Sequence, residues 1–182
     1  MAKEQTGIAG EFWFFSQLQR LGYKSYITLG NTKSVDISVE LNNGETITFD
    51  VKSKENFNGS FQYLNNIPEK ANHFAVFVNL QSKKDGNGKT ILLDSPSCYI
   101  VNSLDIKEIA FNWTSSTGSS SGYGFEAKLL WWLKQRNLKS ITLKNISDFK
   151  IRHNIESEID FEKYENIIMT LDDFEDRYYT EK

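Results

Sequence analysis

The stretch SVDISVELNNGETITFDVKS, residues 34–53, decides the fold because it encodes two strands joined by a tight turn. Apolar residues stand at every second position from 35 to 41 and again from 47 to 51. A period of two is typical of β-strands. Asn43-Gly44, between the two runs, suits the left-handed backbone of a short hairpin turn. We therefore predict two neighbouring antiparallel strands.

The polar residues of these strands fall on one small patch. Asp50 and Lys52 are two positions apart, so both side chains emerge on one face of their strand, while Val51 faces the other way. A hairpin centred on the turn pairs residues whose numbers sum to about 87, which places Asp36 opposite residue 51. Glu11 can add a third carboxylate if the first helix packs across the sheet.

The rest of the chain predicts an α/β fold. Residues 4–21 form a predicted helix with Phe12, Phe15, Leu18 and Leu21 at spacings of three. Residues 73–80, HFAVFVNL, read as a central strand buried on both faces, and 90–94 or 98–102 supplies another strand. Further helices are predicted at 103–113 and within 156–182, and the Ser- and Gly-rich residues 114–124 are predicted as a mobile loop. Residues 125–137 suit a helix or a strand, and we favour the helix. This order predicts a mixed β-sheet flanked by helices.

Composition limits the class of protein. The chain has 182 residues, 39% of them hydrophobic and 14% aromatic, enough for one domain with a sizeable core. Its one cysteine excludes an internal disulfide and a cysteine zinc site. The N-terminus lacks the layout of a signal peptide, and no apolar run approaches transmembrane length. We expect a cytoplasmic protein without membrane contact.

Charge divides the chain into two parts. Residues 156–182 carry ten acids against three bases, so we assign 1–155 to a single α/β domain and 156–182 to an acidic, helical C-terminal segment. Residues 128–152 hold seven bases, Lys128, Lys134 and Arg136 among them, and one acid. This basic band is compatible with nucleic-acid contact, and also with an ordinary solvated face.

The patch around Asp36, Asp50 and Lys52 suits a hard divalent cation. Mg²⁺ prefers oxygen ligands and keeps several waters, and the two carboxylates with the main-chain carbonyl of Val51 can supply oxygens. Such an ion polarises a phosphoryl oxygen and lowers the pKa of a bound water, and Lys52 can orient that water or stabilise developing charge. The alternative is an ordinary ion pair between Asp50 and Lys52 on an exposed strand.

Residues 7–56 resemble the core of the PD-(D/E)xK nuclease superfamily, which includes type II restriction endonucleases and Holliday-junction resolvases. The superfamily pattern is a glutamate in the first helix, an aspartate on the second strand and an acid-x-lysine on the third. Glu11, Asp36, Asp50 and Lys52 stand at these places in this order. One departure is Val35, where the motif name has proline.

The resemblance implies a restriction-endonuclease-like fold and magnesium-dependent hydrolysis of DNA, with Mn²⁺ as a substitute, in restriction, recombination or mobile-element defence. Asp36 and Asp50 would hold the metal, Lys52 would position the water, and Glu11 would orient Lys52 or hold a second metal. Lys54 would contact a phosphate, with an ordinary solvated lysine as the alternative, and a homodimer would serve two strand cuts. Apart from the resemblance, Lys128, Lys134 and Arg136 of the basic band are candidates for DNA contact because of their charge. The alternative is a catalytically inactive nuclease-like domain that binds nucleic acid or protein.

Overall fold

A computed structural model describes residues 3–28, 35–56, 60–62, 67–106, 111–114, 121–126 and 166–178. In chain order its elements are α1 (Lys3–Arg20), β1 (Lys24–Ile27), β2 (Ile37–Glu40), β3 (Thr46–Lys54), β4 (Ser60–Gln62), β5 (His73–Asn79), β6 (Ser82–Lys84), β7 (Thr90–Leu92), β8 (Ser97–Asn102), β9 (Phe111–Thr114), β10 (Ser121–Glu126), β11 (Ile168–Met169) and α2 (Leu171–Tyr178). No helix in these ranges is long and apolar enough to cross a membrane.

The main sheet has six strands in the order β1-β2-β3-β5-β8-β11. Its first three strands form an antiparallel meander, β3 and β5 run parallel, and β5 pairs antiparallel with β8. The predicted α/β class with a mixed sheet is therefore confirmed. The predicted central strand is confirmed as well, because β5 lies between two neighbours and is buried from His73 to Val78.

The predicted hairpin forms between β2 and β3. Ile37 pairs with Phe49 and Glu40 with Thr46, within one residue of the predicted register. The turn closes through hydrogen bonds from the Leu41 N–H to the Glu45 carbonyl and from the Gly44 N–H to the Leu41 carbonyl. Gly44 has a φ of 83°, a conformation that glycine adopts without steric cost.

Helix α1 is confirmed, but the residues at its predicted spacing are not all part of the face that it buries. Thr6, Gly10, Phe14 and Leu18 are buried at spacings of four, whereas Phe12 is 54% exposed. Spacings of three and four both occur on one face of a helix, so the aromatic-rich sequence permits more than one packing face. The choice is made in the tertiary structure by the close approach of α1 to β3.

The core lies on the face of the sheet that α1 and α2 cover. Phe14 of α1 packs edge-on against Phe49 of β3, with ring centroids 5.2 Å apart. The ring of Phe174 in α2 packs against the rings of Phe49 and Phe74, with centroids 5.5 Å apart in both pairs. The aromatic groups thus connect both helices to the two central strands.

Predictions about the second half of the chain are wrong in two places that the structure describes. Phe111–Thr114 and Ser121–Glu126 are paired strands, although 111–113 fell in a predicted helix and 121–124 in a predicted loop. The segment 125–137, predicted as a helix or a strand, is described only at its first two residues, which belong to the second of these strands. The pairing of β9 with β10, and of β10 with β4, is a contact between distant segments that local patterns do not reveal. The helix predicted within 156–182 is confirmed at α2. The boundary at residue 155 and the basic band at 128–152 lie outside the described residues.

Candidate active site

Strand β3 places Asp50 and Lys52 on one face, two residues apart. Asp50 is 2% exposed, and its Oδ1 accepts a charge-assisted hydrogen bond from the Lys52 Nζ. The Lys52 side chain keeps 31% of its surface exposed. A buried carboxylate without a partner is costly, so the ammonium group compensates the charge of Asp50 within the strand itself.

Asp36 reaches the same part of β3 from the residue just before β2. It was predicted within the second strand, but β2 begins at Ile37. The Asp36 N–H donates to the Phe49 carbonyl at 2.8 Å, and its carbonyl accepts from the Thr28 N–H at 2.9 Å. The backbone is therefore held by both neighbouring strands. The Oδ2 atom of the Asp36 carboxylate accepts a hydrogen bond from the Val51 N–H at 2.7 Å. In a longer β2 strand, a backbone carbonyl would accept this hydrogen bond instead.

The main-chain carbonyl of Val51 belongs to the same cluster. The Thr48 N–H and the Lys54 carbonyl make hydrogen bonds on the β5 side, to Asn72 and Leu80. Successive residues of a strand turn their N–H and C=O to opposite edges, so Val51 turns both groups toward the β2 edge. The pairing with β2 does not extend past Phe49, so Val51 has no β2 residue opposite it. The Val51 carbonyl therefore faces the side from which the Asp36 carboxylate approaches.

Burial and mutual repulsion perturb the acids of this cluster. Burial raises the pKa of Asp36 to about 6; the hydrogen bond from Val51 opposes this, and the charges of Asp50 and Glu11 add to it. Burial also raises the pKa of Glu11, the Lys52 charge opposes that shift and the Asp50 charge adds to it. Acids that repel one another and share one lysine form a site where a cation would bind favourably.

Glu11 is placed by a close contact between α1 and β3. A Cβ added at Gly10 would lie 2.5 Å from the Ser53 Cβ and closer still to the Ser53 hydroxyl oxygen, so only glycine permits this approach. The Ser53 hydroxyl also donates to the Gly7 carbonyl at 3.4 Å. Ser53 and its contact with α1 lie on the face of β3 opposite to Asp50 and Lys52. The roles of Gly10 and Ser53 were not predicted from the sequence, where the glycine before Glu11 is their only signal.

The donor set fits a hard cation that keeps part of its hydration shell. With Asp36 Oδ2 bound to Val51 and Asp50 Oδ1 bound to Lys52, each carboxylate retains a second oxygen. No group of three His, Cys, Asp or Glu side chains within the described ranges is arranged to hold a metal ion. Two carboxylates and a carbonyl, completed by waters, are a ligand set that suits Mg²⁺.

His73 extends the polar side of the cluster. It pairs in register with Thr48, and its Nδ1 lies 2.8 Å from the Thr48 hydroxyl oxygen. The ring is fully buried, burial lowers the pKa of the imidazole, and the nearby Asp50 charge opposes that shift. The Nε2 atom has no hydrogen-bond partner among the residues that the structure describes. The structure thus places His73 in the core.

The predicted DNA-contacting residues are placed only in part. Lys54 ends β3 and is partly buried, and its carbonyl accepts from the Leu80 N–H at 2.9 Å. Lys128, Lys134 and Arg136 lie outside the described residues. Among the predicted site residues, the structure therefore brings Asp36 up to β3, beside Asp50 and Lys52. Glu11 lies within range of the charges of Asp50 and Lys52.

Comparisons with known proteins give one finding. No family model matches the sequence, and no curated protein matches it. Among solved structures, the bacterial homing endonuclease I-Ssp6803I is similar with a TM-score of 0.39 and 15% sequence identity, over 69% of this chain and 77% of that chain. The chemistry of the site rests on its own residues.

Proposed function

We propose that the chain is a metal-dependent nuclease that hydrolyses phosphodiester bonds of DNA. The observation that carries this proposal is the hydrogen bond of the Asp36 carboxylate to the Val51 N–H, beside the Asp50–Lys52 ion pair. Asp50 and Lys52 thereby stand two residues apart on β3, and Asp36, the residue just before β2, binds between them at Val51. The PD-(D/E)xK pattern, which the sequence resembles, has an aspartate on the second strand and an acid and a lysine two apart on the third.

Each residue of the cluster has a proposed role. Asp36, Asp50 and the Val51 carbonyl would hold Mg²⁺, for which Mn²⁺ can substitute. When bound, the ion would polarise the scissile phosphate and lower the pKa of a coordinated water. The Lys52 side chain is partly exposed, so its ammonium can turn from Asp50 toward the attacking water and stabilise the negative charge that develops on the phosphate.

Glu11 is proposed to orient Lys52 rather than to bind the ion. The Lys52 charge opposes the burial that raises the Glu11 pKa. Helix α1 contacts the opposite face of β3, and no three-carboxylate group forms among the described residues. These observations favour an electrostatic role for Glu11. A homodimer that cuts both strands stays a prediction.

A cleavage assay tests the proposal. The full chain is incubated with supercoiled and linear duplex DNA in Mg²⁺, in Mn²⁺ and in EDTA. We expect cleavage only with metal, and a loss of about 100-fold or more in Asp50→Asn and Lys52→Met, because each removes a group that stabilises the transition state. Cleavage that persists in EDTA, or in both variants, would contradict the proposed chemistry.

The chain offers a matched control for these variants. Lys24 and Glu40 form an exposed cross-strand ion pair, 2.6 Å between charged atoms, near the opposite end of the β2–β3 hairpin. Lys24→Met and Glu40→Gln remove the same kinds of group without touching the cluster. We expect unchanged cleavage in both.

Mn²⁺ binding by calorimetry supplies a readout without turnover, and it should weaken in Asp36→Asn and Asp50→Asn.

One observation favours the alternative, a nuclease-like domain that binds nucleic acid without cutting it. The Asp50–Lys52 ion pair occupies an oxygen that a metal could use and satisfies the buried carboxylate without any ion. DNA binding by the full chain with neither cleavage nor Mn²⁺ binding would identify this second function.

A further inference from the structure

A separate two-stranded hairpin follows β5 in the chain. Strands β6 and β7 pair with each other through Lys83↔Ile91 and Lys84↔Thr90 and form a sheet of their own. The turn is closed by Asp85, whose carboxylate accepts from the N–H groups of Asn87 at 2.9 Å and Lys89 at 2.8 Å. Residues 82–92, here called the hairpin arm, thus have a defined conformation out to the tip.

The hairpin arm begins next to the candidate active site. Because β3 and β5 run parallel, both end at the same end of the sheet. The chain that leaves β5 continues alongside the end of β3, with hydrogen bonds from the Leu80 N–H to the Lys54 carbonyl at 2.9 Å and from the Ser82 N–H to the Glu55 carbonyl at 2.7 Å. Glu55 is three residues beyond Lys52, so the first residue of the arm lies beside the strand that carries the site.

The charge of the hairpin arm is positive and exposed. It contains Lys83, Lys84 and Lys89 against one acid, Asp85, whose carboxylate already serves the turn. All three lysines are exposed, and none makes an ion pair within the described part of the chain. Lys83 and Lys84 are adjacent on one strand, so they point to opposite faces of the arm. Both faces therefore present a cation.

We propose that the hairpin arm binds the phosphate backbone of double-stranded DNA beside the scissile bond. This inference rests on the proposed function. The major groove of B-DNA is about 12 Å wide and admits a two-stranded β-ribbon. The phosphates on the two sides of the groove would then meet lysines on both faces of the arm. Contacts of this kind set the register of the duplex on the protein without reading its sequence. The arm would thereby hold the duplex at the site of Asp36, Asp50 and Lys52.

The test compares two triple variants of the full chain. Lys83→Gln/Lys84→Gln/Lys89→Gln removes the charges of the hairpin arm. Arg20→Gln/Lys24→Gln/Lys70→Gln removes the same charge from exposed residues near the other end of the sheet, at the end of α1 and the starts of β1 and β5. Binding to a fluorescent duplex is measured in EDTA over a series of salt concentrations, so that no cleavage interferes. Thermal melting of each variant verifies that it folds.

Counterion release sets the expected result. Each phosphate contact adds about 0.9 to the slope of log K against log salt, so the loss of two or three contacts should lower the slope by about 2–3 and the affinity by about 60- to 500-fold near 0.1 M salt. The control variant should retain the parent slope. An arm variant with the parent's affinity and slope, or an equal loss in the control, would overturn the inference while the cleavage assay still supports the nuclease. A parent chain without DNA affinity would overturn both proposals.

Discussion

Replacement of Asp36 by asparagine is expected to stabilise the protein at neutral and alkaline pH while it abolishes cleavage. Burial and two neighbouring carboxylates raise the pKa of Asp36 from 3.8 to about 6. The ionised form is therefore disfavoured in the folded state. Asparagine has nearly the same shape, retains an oxygen that can accept from the Val51 N–H, and carries no charge.

The sign and magnitude follow from linkage. A carboxyl whose folded pKa is raised contributes stability at low pH, and that stability is lost as pH rises from 3.8 through about 6. A shift of about two units corresponds to about 3 kcal/mol. Because the carboxyl is partly open to solvent, screening reduces the effect to about 1–2 kcal/mol. For a chain of this size that is a gain of about 2–8 °C in Tm.

The assay is thermal unfolding of parent and Asp36→Asn in EDTA between about pH 4.5 and pH 8, where the raised carboxyl changes its charge. The difference in Tm should be small at the acidic end, grow through about pH 6 and stay constant above it. The control is Glu4→Gln, which removes an exposed acid from the first turn of α1, where a negative charge is favourable, and should give no gain. An Asp36→Asn protein that is less stable at pH 8, or a gain independent of pH, would refute the reasoning.

Three further predictions concern packing and reactivity. Gly10→Ala should destabilise by about 1–3 kcal/mol, since its Cβ would collide with a β3 side chain; Gly7→Ala, which meets nothing within 4 Å, should instead gain about 0.5–1 kcal/mol. Equal effects at the two positions in urea denaturation would contradict this. Thr48→Val should cost about 1–3 kcal/mol, because the buried His73 Nδ1 loses its partner; a cost below about 0.5 kcal/mol would show that the hydrogen bond contributes little. Cys98 is buried, with its thiol pKa raised to about 12, so iodoacetamide at pH 8 should label only the unfolded chain; rapid labelling of the folded chain would place the thiol at the surface.

Local patterns were sufficient for the elements around the site. The period of two in residues 34–53 and the Asn43-Gly44 turn predicted β2, β3 and their register within one residue. The continuous apolar run from His73 predicted a strand with neighbours on both sides. The same period placed Asp50 and Lys52 on one face, where the structure shows their ion pair. These features depend on neighbours in the chain, so the chain itself reveals them.

Other features depend on contacts between distant segments. The packing face of α1 could not be read from its aromatic residues, because the contact with Ser53 selects Gly10 and Phe14. Phe111–Thr114 pairs with Ser121–Glu126 and so forms a strand where local periodicity predicted a helix. Residues 90–94 were one of two candidates for a further strand, but the sequence did not predict the hairpin arm as a unit. Its place beside the site follows from the parallel pairing of β3 with β5.

The sequence by itself therefore determined which residue types stand two apart on β3, since alternation along a strand is a property of the backbone. Only the tertiary structure decided what these residues meet. Asp36, just before β2, binds the Val51 N–H because Thr28 and Phe49 hold its backbone from both sides. Helix α1 brings Glu11 within range of Lys52 because Gly10 has no side chain to keep α1 away from Ser53. Burial of the acids together, which raises the pKa of Asp36 to about 6, exists only once these segments have packed.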